Sequence, residues 1–170
     1  MIKENKKERN NDIFHSPTKG KMKFRQVIQE VINFMCQEKD LRYRIIIGTD
    51  STGKEKNVDF VSVILAHRVG RGGIYFWRKT NKQNVYGLKP RIMEEVFLSL
   101  SLAQQVLKVL KEKLTIENIA EHLEVHADVG PNGETKTILQ EIIGMVMGSG
   151  FNCKTKPDSF GASCIADKYT

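Results

Sequence analysis

The chain has 170 residues, 40% of them hydrophobic, which is apolar material for one ordinary globular domain; at this size about 70% of the unfolded surface is removed from water. Cys36, Cys153 and Cys164 lie far apart and form no CxxC pair, which argues against a disulfide scaffold and a zinc ribbon, and no stretch approaches the roughly 18 apolar residues that span a bilayer. Lys and Arg outnumber Asp and Glu by 27 to 20, and the resulting charge of +7 favours a polyanionic partner, since clustered cations displace counterions from phosphates.

Residues 1–12 are polar and basic, without hydrophobic period or an apolar core of signal-peptide length. They predict a flexible arm ahead of a single domain over residues 13–170, in a reducing cytoplasm and with no membrane partner. Ser16-Pro17-Thr18-Lys19-Gly20 is turn-like. From Phe24, the spacing of Val27, Ile28, Val31, Ile32 and Met35 predicts a helix ending near Glu38. Arg44 to Thr49 is a β-branched run suited to a strand covered on both faces, and it delivers Asp50 to its C-terminal end. Ser51 to Asn57 then predicts a hairpin connection, with strands over Val58–His67 and, after Gly70-Arg71-Gly72-Gly73, Ile74–Lys79.

Pro90 suits the first turn of a long amphipathic helix through Ile92, Val96, Leu102, Val106 and Leu110. A strand over His122–Ala127 ends at Asp128, and a second amphipathic helix from Thr137 stops at Gly148-Ser149-Gly150. Phe151–Thr155 predicts a last strand, and Ala162–Tyr169 two helical turns that carry Asp167. The order implies an α/β domain: a five-stranded mixed sheet, three antiparallel strands plus two parallel, with helices on both faces.

Acids at strand ends carry the chemical signal. If the strands of Asp50 and Asp128 lie side by side and parallel, both carboxylates emerge at the sheet edge where open α/β sheets bind ligands. A divalent cation such as magnesium removes the repulsion between them and keeps waters for a phosphate oxygen. Asp128, close to Gly130, also reads as a plain turn residue. Gly48-Thr49-Asp50-Ser51-Thr52-Gly53-Lys54 imitates a phosphate-binding loop, but Glu55 and a strand follow where Ser/Thr and a helix are needed. His122, Glu124 and His126 share a strand face without a paired zinc motif. Lys54, Lys56, Arg71, Arg78, Lys79 and Lys82 are candidates for contact with a nucleic-acid backbone, and Tyr75 and Trp77 for base stacking, although strand aromatics more often pack on the sheet.

Ile45-Ile46-Ile47-Gly48-Thr49-Asp50-Ser51, the acid in the first turns of the central helix, Val125-His126-Ala127-Asp128 and the late Asp167 together resemble the ribonuclease H-like superfamily. More closely, Ser16 to Met22, Arg91-Ile92, Gly144-Met145-Val146, Gly161-Ala162-Ser163 and Ala166-Asp167-Lys168-Tyr169 resemble the bacterial YkuK family, whose biochemical role is uncertain. The resemblance implies four carboxylates holding two Mg²⁺ or Mn²⁺ ions: Asp50, Glu95 or Glu94, Asp128 and Asp167. Glu95 shares a helical face with Leu98 and Leu102, whereas Glu94 lies about 100° away. The implied activity is two-metal hydrolysis of phosphodiesters in RNA, an RNA/DNA hybrid or structured DNA, with a non-catalytic nucleic-acid-binding module as the alternative. An ATP-binding role rests on fold analogy alone, because such proteins enclose nucleotide between two domains of this kind.

Overall fold

Ile45-Ile46-Ile47 lies on an interior strand of the sheet, buried on both sides. The computed structural model describes residues 13–38, 40–54, 56–114, 119–159 and 164–170. The arm expected over 1–12 and the motif residues Gly161, Ala162 and Ser163 lie outside the described residues. The elements in chain order are β1 (Ile13–Ser16), β2 (Gly20–Lys23), α1 (Phe24–Gln37), β3 (Tyr43–Lys54), β4 (Asn57–Arg68), β5 (Gly72–Lys82), α2 (Leu88–Lys113), β6 (Leu123–His126), α3 (Leu139–Gly148) and β7 (Asn152–Lys154). Short 3-10 turns precede β6 and α3.

The sheet runs β2-β1-β5-β4-β3-β6-β7. Strands β3, β4 and β5 form the expected antiparallel meander, and β6 and β7 add in parallel. Seven strands stand where five were expected. The two additional ones close on the Ser16–Gly20 turn, with Ile13 opposite Lys23 and Ser16 opposite Gly20. Each is four residues long and buries a single side chain, Phe14 or Met22, so neither shows enough alternation to be read as a strand. The hairpin extends the sheet beyond β5, where His15 pairs with Trp77.

The period of two divides the sheet residues between unequal layers. Ile45, Ile47, Ile64, Phe76 and Val125 face one large cluster shared by α1, α2 and α3. Ile46, Val61, Val63 and Leu65 face the other side, where Ile165, Ala166 and Tyr169 of the C-terminal helical turn cover them. Tyr169 stacks on Trp77, ring centroids 4.3 Å apart, and its hydroxyl lies 3.0 Å from that of Tyr75. His15 stacks on Trp77 as well, at 4.4 Å. Tyr75 and Trp77 therefore pack on the sheet.

Candidate metal centre

Register places the first two acids. Gly48 of β3 pairs with His126 of β6, the last residue of that parallel strand. Asp50 and Asp128 each lie two residues farther on, so both emerge at the same edge. Asp50 does not end its strand, however. The polar residues Ser51 to Lys54 continue β3 by pairing with Asn57 to Phe60 of β4, and only the pairing with β6 has stopped. Expected as the connection of a hairpin, this segment is instead paired strand out to the hairpin's tip. A side chain at Gly53, where φ is +115°, would come within 2.5 Å of the Asn57 carbonyl oxygen, so glycine is required there.

The central helix supplies Glu95 from its second turn. Its carboxylate accepts a hydrogen bond from the Ser51 hydroxyl, whereas Glu94 forms an ion pair with Lys82. Arg91, one helical turn earlier, donates through Nε to Ser51 Oγ at 2.6 Å and through its other nitrogens to the carbonyl oxygens of Ser51 and Gly53. A guanidinium thus ties the β3–β4 hairpin to α2 directly beside the acids. Behind them, Ser99 donates to the Glu95 carbonyl oxygen at 2.8 Å and lies 3.0 Å from Thr49 Oγ1, which is 2.9 Å from Ser62 Oγ. These three hydroxyls are buried, and their mutual hydrogen bonds make that burial tolerable.

The carboxylates act on one another across this edge. Burial raises the pKa of Asp50, the Ser51 amide donating to Oδ1 at 2.8 Å opposes the rise, and the negative charges of Asp128 and Asp167 add to it. Glu95 is pushed up to about 7, by burial first and then by Asp50 and Asp128, with Ser51 and Arg91 opposing. Three acids from distant parts of the chain, Glu95, Asp128 and Asp167, therefore lie within electrostatic reach of Asp50. They differ in setting: Asp128 holds a salt bridge of 3.0 Å with Lys156, and Asp167 is exposed on the C-terminal turn. Among the described residues, no group of three His, Cys, Asp or Glu side chains is drawn together closely enough to hold a metal ion.

Other sequence candidates go elsewhere. His126 is buried against Glu124 at 3.2 Å, and burial lowers its pKa. Arg78 is buried over the Phe14 ring, Lys79 pairs with Asp59 and Arg71 with Glu38. Ser51 and Arg91 are site residues that the acid pattern does not expose. The signal for Arg91 was its place four residues before Glu95, on the same helical face.

The model of the family described as ribonuclease H-like matches residues 26–170. This chain belongs to the ribonuclease H-like family. It is 28% identical over 169 residues to an uncharacterised protein, YkuK, of Bacillus subtilis (strain 168), in a match covering 93% of this chain and 96% of that protein. No solved structure matches. The β1–β2 hairpin precedes the residues matched by the family, so the two additional strands are an elaboration at the sheet margin. Family membership supports a nucleic-acid-related function. No helix among the described residues is long and apolar enough to cross a membrane.

Proposed function

We propose that the chain is a metal-dependent nuclease that hydrolyses phosphodiester bonds in RNA, an RNA/DNA hybrid or structured DNA. The observation that supports this reading is the convergence of acids on Asp50: burial first raises the pKa of Asp50 and Glu95, and the charges of Asp128 and Asp167 on Asp50, and of Asp50 and Asp128 on Glu95, add to it. Carboxylates sharing one sheet edge suit a hard divalent cation, because all the donors are oxygen and a cation removes the repulsion between them. The four acids would hold Mg²⁺ or Mn²⁺, which supplies an activated water and stabilises the departing oxygen when bound.

The chain's own groups prepare that site. The Ser51 amide fixes one oxygen of Asp50 and leaves the other for a ligand. Arg91 and Ser51 orient the Glu95 carboxylate from one side, and the Thr49–Ser62–Ser99 hydroxyls hold the backbone behind it. Lys156 neutralises Asp128 in the absence of a cation and is exposed enough to withdraw.

The test is cleavage of labelled RNA, hybrid and branched DNA with Mg²⁺ or Mn²⁺. Cleavage that needs the metal and disappears in Asp50→Asn supports the proposal. A second reading, a nucleic-acid-binding module without turnover, is favoured by the Lys156–Asp128 pair and by the spread of the acids. It predicts salt-sensitive binding in EDTA and no cleavage with either metal.

A further inference from the structure

An open groove of about 670 Å³ lies beside the acids, between the tip of the β3–β4 hairpin and the start of α2. Its walls are Gly53, Lys54, Lys56 and Val58 on the hairpin side and Val85, Gly87, Leu88 and Arg91 on the other. Arg91 belongs to both places: it lines the groove and hydrogen-bonds Ser51, the partner of Glu95.

Charge singles this groove out. Of the basic residues on or beside the strand connections, Arg71, Lys79 and Lys82 are each in a salt bridge, and Arg78 is buried. Lys54 and Lys56 have no acidic partner among the described residues, and both line the groove. Among the described residues, no acid contributes to its walls. The remaining walls are apolar, through Val58, Val85 and Leu88, with Leu88 43% exposed. Tyr86, between the lining residues Val85 and Gly87, is 54% exposed, so its ring is accessible beside the apolar wall formed by Val58, Val85 and Leu88.

Paired lysines suit phosphates, while an apolar wall beside an exposed aromatic ring suits the flat faces of bases. Those faces are available only where bases are unstacked. A regular duplex presents phosphates and base edges instead. We infer that the groove binds a single-stranded segment of nucleic acid and leads it past Arg91 to the acids, so that the preferred substrate carries unpaired nucleotides next to the bond to be cut. This inference rests on the nucleic-acid reading above and specifies the substrate form.

The experiment uses fluorescein-labelled oligouridylate and a blunt duplex of equal length, with anisotropy measured in EDTA across a salt series. The wild-type protein is expected to prefer the single strand. Lys54→Ala/Lys56→Ala should weaken that binding about tenfold and reduce the salt slope by about 1.4, the value for two phosphate contacts on a single strand. Tyr86→Ser should weaken it by about fivefold or more while leaving the salt slope unchanged, as loss of stacking requires. Lys108→Ala/Lys111→Ala removes the same charge about 30 Å farther along α2 and should change affinity less than twofold. Full affinity in the groove variants, equal loss in the Lys108/Lys111 control, or preference for the duplex would overturn the groove assignment and leave nucleic-acid binding standing. Absence of binding to either probe by the wild-type protein would overturn the nucleic-acid reading itself.

Discussion

The two halves of the acidic site are built differently. The inner half, Glu95 with Ser51, Arg91, Thr49, Ser62 and Ser99, is part-buried or buried and hydrogen-bonded throughout. The outer half, Asp128 and Asp167, stands at the ends of short segments, with an exposed lysine as the described partner of Asp128. The core fixes the positions of Asp50 and Glu95 through strand register and helix packing, whereas Asp128 and Asp167 lie outside the core on brief connections. Under the proposed function, the first pair would be the rigid jaw of the site and the second its compliant one.

Substitutions should separate the halves by magnitude. The largest effect is expected at Arg91, whose removal breaks charge-assisted bonds linking the hairpin to α2: Arg91→Ala should cost about 2 kcal/mol in urea denaturation. Glu95 comes next, through pH. Its folded pKa of about 7 lies above the unfolded value of 4.5, so between those pH values the folded state holds a proton that the unfolded state has lost, and stability falls as pH rises. Asp50, shifted the same way, adds to the slope at its lower end. Glu95→Gln should flatten the profile and stabilise the metal-free protein at pH 8 by on the order of 1 kcal/mol. A profile unchanged by this substitution would remove Glu95 from the buried half. Millimolar Mn²⁺ should flatten the wild-type profile from the other direction by favouring the ionised carboxylates, and EDTA should restore it.

Ser99→Ala should cost about 1 kcal/mol, since it leaves Thr49 one hydroxyl partner short in a buried setting. The smallest effect is expected at Lys156, where side-chain exposures of 56% and 32% for the pair place the salt bridge at the surface. Lys156→Ala should change stability by less than about 0.5 kcal/mol yet tighten Mn²⁺ binding in calorimetry, because it frees the Asp128 carboxylate. A large stability loss there would make the outer half as rigid as the inner.

The sheet core was legible in the sequence because its strands are long or strongly apolar: the β-branched run at Ile45 to Ile47 and the apolar run within Val58–His67 both read as strands. The β1–β2 hairpin was not, because four residues with one buried side chain each carry too little pattern. Asp50 and Asp128 were visible as acids following apolar strands, and the choice between Glu94 and Glu95 followed from helical geometry. Hidden from sequence were Ser51, Thr49, Ser62 and Ser99, small hydroxyls whose value lies in contacts made across more than ten residues of chain. The sequence also offered six basic candidates with no means of ranking them. Only the tertiary pairing of Lys79, Lys82 and Arg71 with acids separates them from Lys54 and Lys56.

Trp77 is the protein's one tryptophan, and its indole is flanked by His15 from the added hairpin and Tyr169 from the C-terminal turn. Two segments far apart in sequence thus meet on a single chromophore, and Tyr169, which stacks on it, lies two residues of chain from Asp167. Its emission is an intrinsic optical gauge of whether the turn carrying the fourth acid is seated, readable without any label.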